Sequence, residues 1–140
     1  MKKITALLLA LALSFTLVFI VSCNRIPAEG LWEDATYRDD AELGEGENAF
    51  TLVVEIGEEK VTFAINTDKK TVGDALIELE LIEGEESQYG LYVKKVNGVL
   101  ADYDVDQTYW ALYINGEYAM AGVDTTDVVN GTTYTLKREG

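Results

Sequence analysis

A chain of 140 residues leaves room for one domain with flanking segments. It carries 25 Asp and Glu against 11 Lys and Arg, a net charge of −14, and the pairs Lys69-Lys70 and Lys94-Lys95 are too small to form a basic patch, so nucleic acid is excluded as a partner. With no histidine and a single cysteine, it lacks the commonest general base, the usual triad member, the commonest zinc ligand and any internal disulfide.

Met1-Lys2-Lys3 is followed by Ile4 to Val21, whose only polar members are Thr5, Ser14 and Thr16. A charged start and an apolar body are the pattern of a secretory signal, and the apolar run is at the lower limit for a spanning helix. Ile20-Val21-Ser22-Cys23 then resembles the lipobox of bacterial lipoproteins, with an aliphatic residue three before the cysteine and a small one just before it. The resemblance implies a signal peptide over residues 1–22 and cleavage before Cys23. Acyl chains on Cys23 would then anchor the protein to the bacterial cell membrane on its extracytoplasmic side.

Residues 23–48 are rich in Glu, Asp and Gly, contain the only proline, Pro27, and show neither a strand-like nor a helix-like period. That composition reads as an acidic flexible tether. Trp32 and Tyr37 are its only aromatics and are expected to be solvated or lightly packed.

A domain is expected over residues 49–140. In FTLVVEIG, Leu52, Val54 and Ile56 share one face, and in KVTFAIN so do Val61, Phe63 and Ile65, which makes a hairpin turning at Gly57-Glu58-Glu59. Thr71 followed by Asp74 resembles a helix cap, and Val72, Ala75, Leu76, Leu79 and Ile82 recur at helical spacing until Gly84. Asn97-Gly98, Asn115-Gly116 and Asn130-Gly131 each lie between strand-like runs, the strongest local hairpin signal because both residues accept positive φ. Hairpin, helix and further strands predict an α+β domain of the β-grasp type, a mostly antiparallel sheet packed on one helix.

The residues available for chemistry are carboxylates, scattered with no preferred pair, and no enzyme activity is expected. Asp102, Asp104 and Asp106 space like the start of a calcium loop, but Gln107 and Tyr113 stand where an EF-hand wants glycine and a bidentate glutamate. An acidic turn between strands is the expected reading, and no metal ligands are assigned. In YWALYINGEYAMAGVD, alternation puts Trp110, Leu112 and Ile114 on one face, expected to meet the helix. Tyr109, Ala111 and Tyr113 fall on the other, with Tyr118 and Met120 beyond the turn.

TVGDAL, VNGV, YWALYINGEYAMAGVD and NGTTYTL together resemble the transcobalamin-like C-terminal domain family, found on bacterial surface proteins and similar to the small β domain that closes animal cobalamin carriers. The resemblance covers Phe50 to Arg138. In those carriers a Tyr-Trp pair opens a strand and a glycine starts a Gly-aliphatic-Asp-like segment; Tyr109, Trp110, Gly122, Val123 and Asp124 fall on that pattern. The ligand site is expected at Tyr109, Tyr113, Tyr118 and Met120, which alternation and the hairpin place on one surface, with Gly122, Val123 and Asp124 added by the resemblance. Its ligand would be cobalamin, another corrinoid or a similar small molecule, passed to a transporter or completed by a helical-domain partner. The chain has no segment long enough to be the helical barrel of the animal carriers, so only half of such a site is present. The alternative is a structural module meeting protein or glycan at the cell surface.

Overall fold

The computed structural model describes residues 25–140; the expected signal peptide and Cys23 lie outside the described residues. Nine strands form two sheets. They are β1 (Ala41–Leu43), β2 (Asn48–Ile56), β3 (Glu59–Thr67), β4 (Ile82–Ser87), β5 (Gly90–Val96), β6 (Val99–Leu100), β7 (Tyr109–Ile114), β8 (Glu117–Tyr118) and β9 (Thr133–Glu139). Helix α1 (Val72–Glu78) follows β3, and the one-turn α2 (Tyr103–Asp106) precedes β7. The large sheet runs β1-β3-β2-β9-β7-β8 and the small one β4-β5-β6. Only β1 with β3 and β2 with β9 pair in parallel, so the fold is α+β with mostly antiparallel sheets. Among the described residues no helix is long and apolar enough to cross a membrane.

Alternation fixes the inner face of the large sheet as expected. Leu52, Val54, Val61, Phe63 and Ile65 are buried there, joined by Tyr134 and Leu136 of β9. Val72, Ala75 and Leu76 of α1 and Val96 and Val99 of the small sheet complete the core. The first hairpin turns on two residues, Gly57 and Glu58, since Ile56 pairs with Glu59. Gly57 takes φ +62 at the first turn position, which a side chain would oppose.

The helix starts as expected, with the Asp74 amide donating to Thr71 Oγ1 at 3.1 Å, but it ends at Glu78 rather than running to Gly84. The Glu80 amide donates to the Ile77 carbonyl and the Leu81 amide to the Leu76 carbonyl. Those two bonds form the Schellman closure of a helix, with buried Leu81 and Leu76 as its apolar contact. Glu80 itself is left-handed, at φ 58, where glycine is the usual residue. Ile82 therefore begins a strand. Gly84 lies at a register shift in β4, where a side chain would run into the Tyr92 carbonyl.

The expected tether is structured from Arg25 onward. A 3-10 turn over Gly30–Asp34 sinks Trp32 into the core at 6% exposure, and the Tyr37 ring stands edge-on to Phe63 at 5.5 Å. Asn97, fully buried in the β5–β6 turn, donates from Nδ2 to the Tyr37 carbonyl at 2.8 Å and accepts the Tyr37 amide on Oδ1 at 2.9 Å. Thus Trp32 and Tyr37 are packed, not solvated. Asn130-Gly131 also departs from expectation: it is a turn ahead of β9, with the Thr132 amide donating to Val129, and joins no strand pair.

Trp32→Ala should remove about 3–5 kcal/mol of stability by leaving a core cavity. A melting temperature within a degree or two of the wild type would show that the segment contributes nothing. Glu80→Gly should raise stability by roughly 1 kcal/mol, because a left-handed non-glycine residue carries about that penalty; a lower melting temperature would contradict the Schellman assignment.

Candidate functional site

The β7–β8 hairpin closes on Asn115 and Gly116 at φ 49 and φ 85, the left-handed pair of a type I′ turn. Trp110 and Leu112 are buried toward the core with Ile114 packed beside them, as alternation requires. On the opposite face the Tyr113 hydroxyl donates to Glu139 Oε1 at 2.6 Å and the Tyr109 hydroxyl to Glu139 Oε2 at 3.3 Å. Tyr118 stands edge-on to Tyr113 with ring centres 5.6 Å apart.

A hollow of about 170 Å³ opens where β5 lies against β7. β7 pairs with β9 along its whole length, but with β8 only at Tyr113 and Ile114. β5 pairs with β4 throughout, but with β6 only at Lys95 and Val96. The edges of Gly90–Val93 and Tyr109–Ala111 that face the hollow therefore have no ladder partner. Leu91, Val93, Trp110, Ala119, Ala121 and Gly122 line it. Trp110 Nε1 is buried without a hydrogen-bond partner among the described residues. A second hollow of about 380 Å³ shares Leu91 and Tyr92 with the first and runs under the β4–β5 tip at Tyr89. The Lys94 ammonium lies 5.9 Å from the Tyr92 ring centre, and its pKa is raised by a hydrogen bond to Glu85 and by the charge of Asp102. Tyr89, Tyr118 and Met120 are exposed, Met120 at 95%.

The expected site residues divide. Tyr109, Tyr118, Gly122 and Val123 line the first hollow, although Val123 is otherwise buried core. Met120 stands clear of both hollows and Tyr113 faces a separate depression. Asp124 is committed to structure. Its Oδ2 accepts the Leu91 amide at 3.1 Å, and a Cβ at Gly90 would lie 2.6 Å from that same oxygen. A Cβ at Gly73 would lie 2.9 Å from Asp124 Cα, so the glycine of TVGDAL lets α1 approach the Gly-Val-Asp segment. Leu91, Tyr92 and Tyr89 went unforeseen. The strand-like run before Asn97-Gly98 is expected and is β5, but no local signal shows that its Leu91 and Tyr92 meet β7.

Asp102, Asp104 and Asp106 do not converge. Asp102 Oδ1 accepts the Asp104 amide at 3.1 Å as the cap of α2. Asp106 accepts from the Thr108 hydroxyl and amide and from Arg138 at 2.9 Å, bonds that hold its carboxyl below the usual range. Among the described residues no three His, Cys, Asp or Glu side chains gather to hold a metal ion.

These elements define a domain of two sheets and two short helices whose paired hairpins frame an apolar hollow. Residues 69–139 match the family described as "Domain of unknown function (DUF4430)", and the chain belongs to that family. A candidate metal-binding protein from Ruminococcus gnavus is similar at 31% identity, over 66% of this chain and 97% of that one, with a TM-score of 0.63. Haptocorrin in complex with Cbi is similar at 20% identity, over 66% of this chain and 25% of that one, with a TM-score of 0.56. The fold is thus transcobalamin-like. No curated protein matches the chain.

The hydrogen bond to Glu139, with burial and the carboxylate's charge, pushes the Tyr113 hydroxyl up to about 12 from 10.0. Burial, then Glu139, raises Tyr109 as well. A raised folded-state value means that this contribution to stability is whole below pH 10.0 and is lost as pH rises through about 12. Phenolate absorbance followed with far-ultraviolet circular dichroism should show unfolding begin in that window. Tyr113→Phe should remove the phenol that ionises near pH 12; an unchanged titration in that range would contradict the assignment.

Proposed function

We propose that this protein is a membrane-anchored extracytoplasmic lipoprotein, held by acylated Cys23, that captures a corrinoid or a similar flat amphipathic molecule and presents it to a transporter or a helical partner. One observation carries the reading: the β4–β5 and β7–β8 hairpins enclose an apolar hollow between two strand edges that lack ladder partners. Apart from the Leu91 amide, which Asp124 accepts, such edges leave backbone donors and acceptors for the polar rim of a flat ligand, while Leu91, Val93 and Trp110 meet one apolar edge of it. Tyr118 at the first hollow and Tyr89 at the second extend the contact outward. With no histidine in the chain, binding rests on burial and hydrogen bonds without imidazole ligation. The β-grasp assignment belongs to the same proposal and is supported by one helix, α1, sharing a core with mostly antiparallel sheets. The reading assigns binding and no catalysis.

Equilibrium dialysis of the full-length chain in mild detergent against cyanocobalamin and cobinamide tests it. At least one should be retained, and Ala121→Trp, which fills the mouth of the hollow from an exposed position, should weaken retention about tenfold, or about 1.4 kcal/mol. Cys23→Ser should release the chain from bacterial membranes and leave the dialysis result unchanged. Retention of neither corrinoid would overturn the ligand class.

A further inference from the structure

We propose that the outer face of the large sheet, around Tyr113, Thr135, Lys137 and Glu55, binds a neutral oligosaccharide at a site separate from the hollow. Alternation turns this face away from the core. Register places Tyr113 beside Thr135 and Lys137 beside Glu55 on the consecutive strands β7, β9 and β2. Three strands wide and two side-chain rows long, the patch measures about 10 Å by about 7 Å. A shallow depression of about 240 Å³ lies over it, lined by these four residues and Gly116. It shares no residue with either hollow. A Cβ at Gly116 would meet nothing within 4 Å, so the turn leaves that end of the depression open.

The chemistry of the patch selects the ligand. The Tyr113 ring is held by the bond to Glu139 and by Tyr118 edge-on, which makes a preorganised aromatic platform. The C–H bonds on one face of a pyranose carry partial positive charge and meet the negative face of such a ring. Around the platform stand a carboxylate acceptor in Glu55, an ammonium donor in Lys137 and a hydroxyl in Thr135, the set a sugar's hydroxyls need. The mixed charge favours a neutral ligand. A cation would meet Lys137, whose ammonium lies 3.9 Å from Glu139, while an anion would meet both Glu139 and Glu55. A neutral ligand with hydroxyls that both donate and accept satisfies every group. The open end favours units within a chain over an enclosed monosaccharide.

Saturation-transfer NMR on the full-length chain in detergent, with cellotetraose, maltotetraose and chitotetraose as probes, tests the site. At least one should receive saturation at ring protons, with Tyr113→Ala and Glu55→Ala each weakening binding about tenfold or more. Ala121→Trp, at the hollow, should leave it unchanged, so the outcome is independent of corrinoid capture. A melting curve for each variant separates lost binding from lost folding. The proposal is overturned if none of the three probes is saturated, or if the folded Tyr113→Ala and Glu55→Ala variants bind as the wild type does.

Discussion

The large sheet depends on one insertion: β9 lies between β2 and β7, parallel to the first and antiparallel to the second. Without β9 the β2–β3 hairpin and the β7–β8 hairpin have no shared ladder. Tyr134 and Leu136 carry the apolar side of that junction, and both are buried to 1% exposure. The Tyr134 ring stands edge-on to Phe50, and its hydroxyl donates to the Asp127 carbonyl at 2.9 Å, which ties the loop before β9 to the same seam. Glu139, at the far end of the strand, fixes both Tyr109 and Tyr113. Core and both candidate surfaces are thereby positioned by a single strand.

A second constraint holds the small sheet to the large one. The Asp124 carboxylate receives the Leu91 amide, and Gly73, Gly90 and Gly122 let three backbone segments crowd around that residue. Arg138 makes the matching tie at the other end, donating from Nε to the Leu100 carbonyl and pairing with Asp106. Held at both ends, β5 and β7 lie alongside each other without forming a ladder. The hollow follows from that arrangement: two edges are fixed close together but out of register, and the space between them is lined by the side chains of Leu91, Val93 and Trp110.

Much of this was legible locally. Strict alternation in β2 and β3 identified the inner face, and in β7 it placed Trp110 and Leu112 although Ala111 on the other face is buried as well; two of the three Asn-Gly pairs closed hairpins. What failed depends on distant partners. Trp32 and Tyr37 lie in a segment with no period because each is held singly, Tyr37 by Asn97 sixty positions away. The helix was read too long because Ile82 continued its spacing, whereas the stop is a left-handed glutamate, a residue type that carries no such signal. The tyrosine face of β7 was foreseen, but not that Tyr109 and Tyr113 would share a carboxylate, since Glu139 is supplied by a strand with no local link to it. Leu91 and Tyr92 were missed as site residues for the same reason: their role arises only where β5 meets β7.

The place of β9 also bears on how the chain is assembled during synthesis. Residues 48–67 can form their hairpin with β1 beside it, and residues 109–118 theirs, but the strand that links the two is absent until residues 133–139 are translated. Burial of the large sheet's inner face therefore awaits β9, whose pairing with β2 spans about eighty residues, and such non-local pairing slows folding. Until then the two hairpins present unpaired edges to any cellular factor that holds extended chains, and a nascent chain stalled short of β9 is an open substrate for proteolysis.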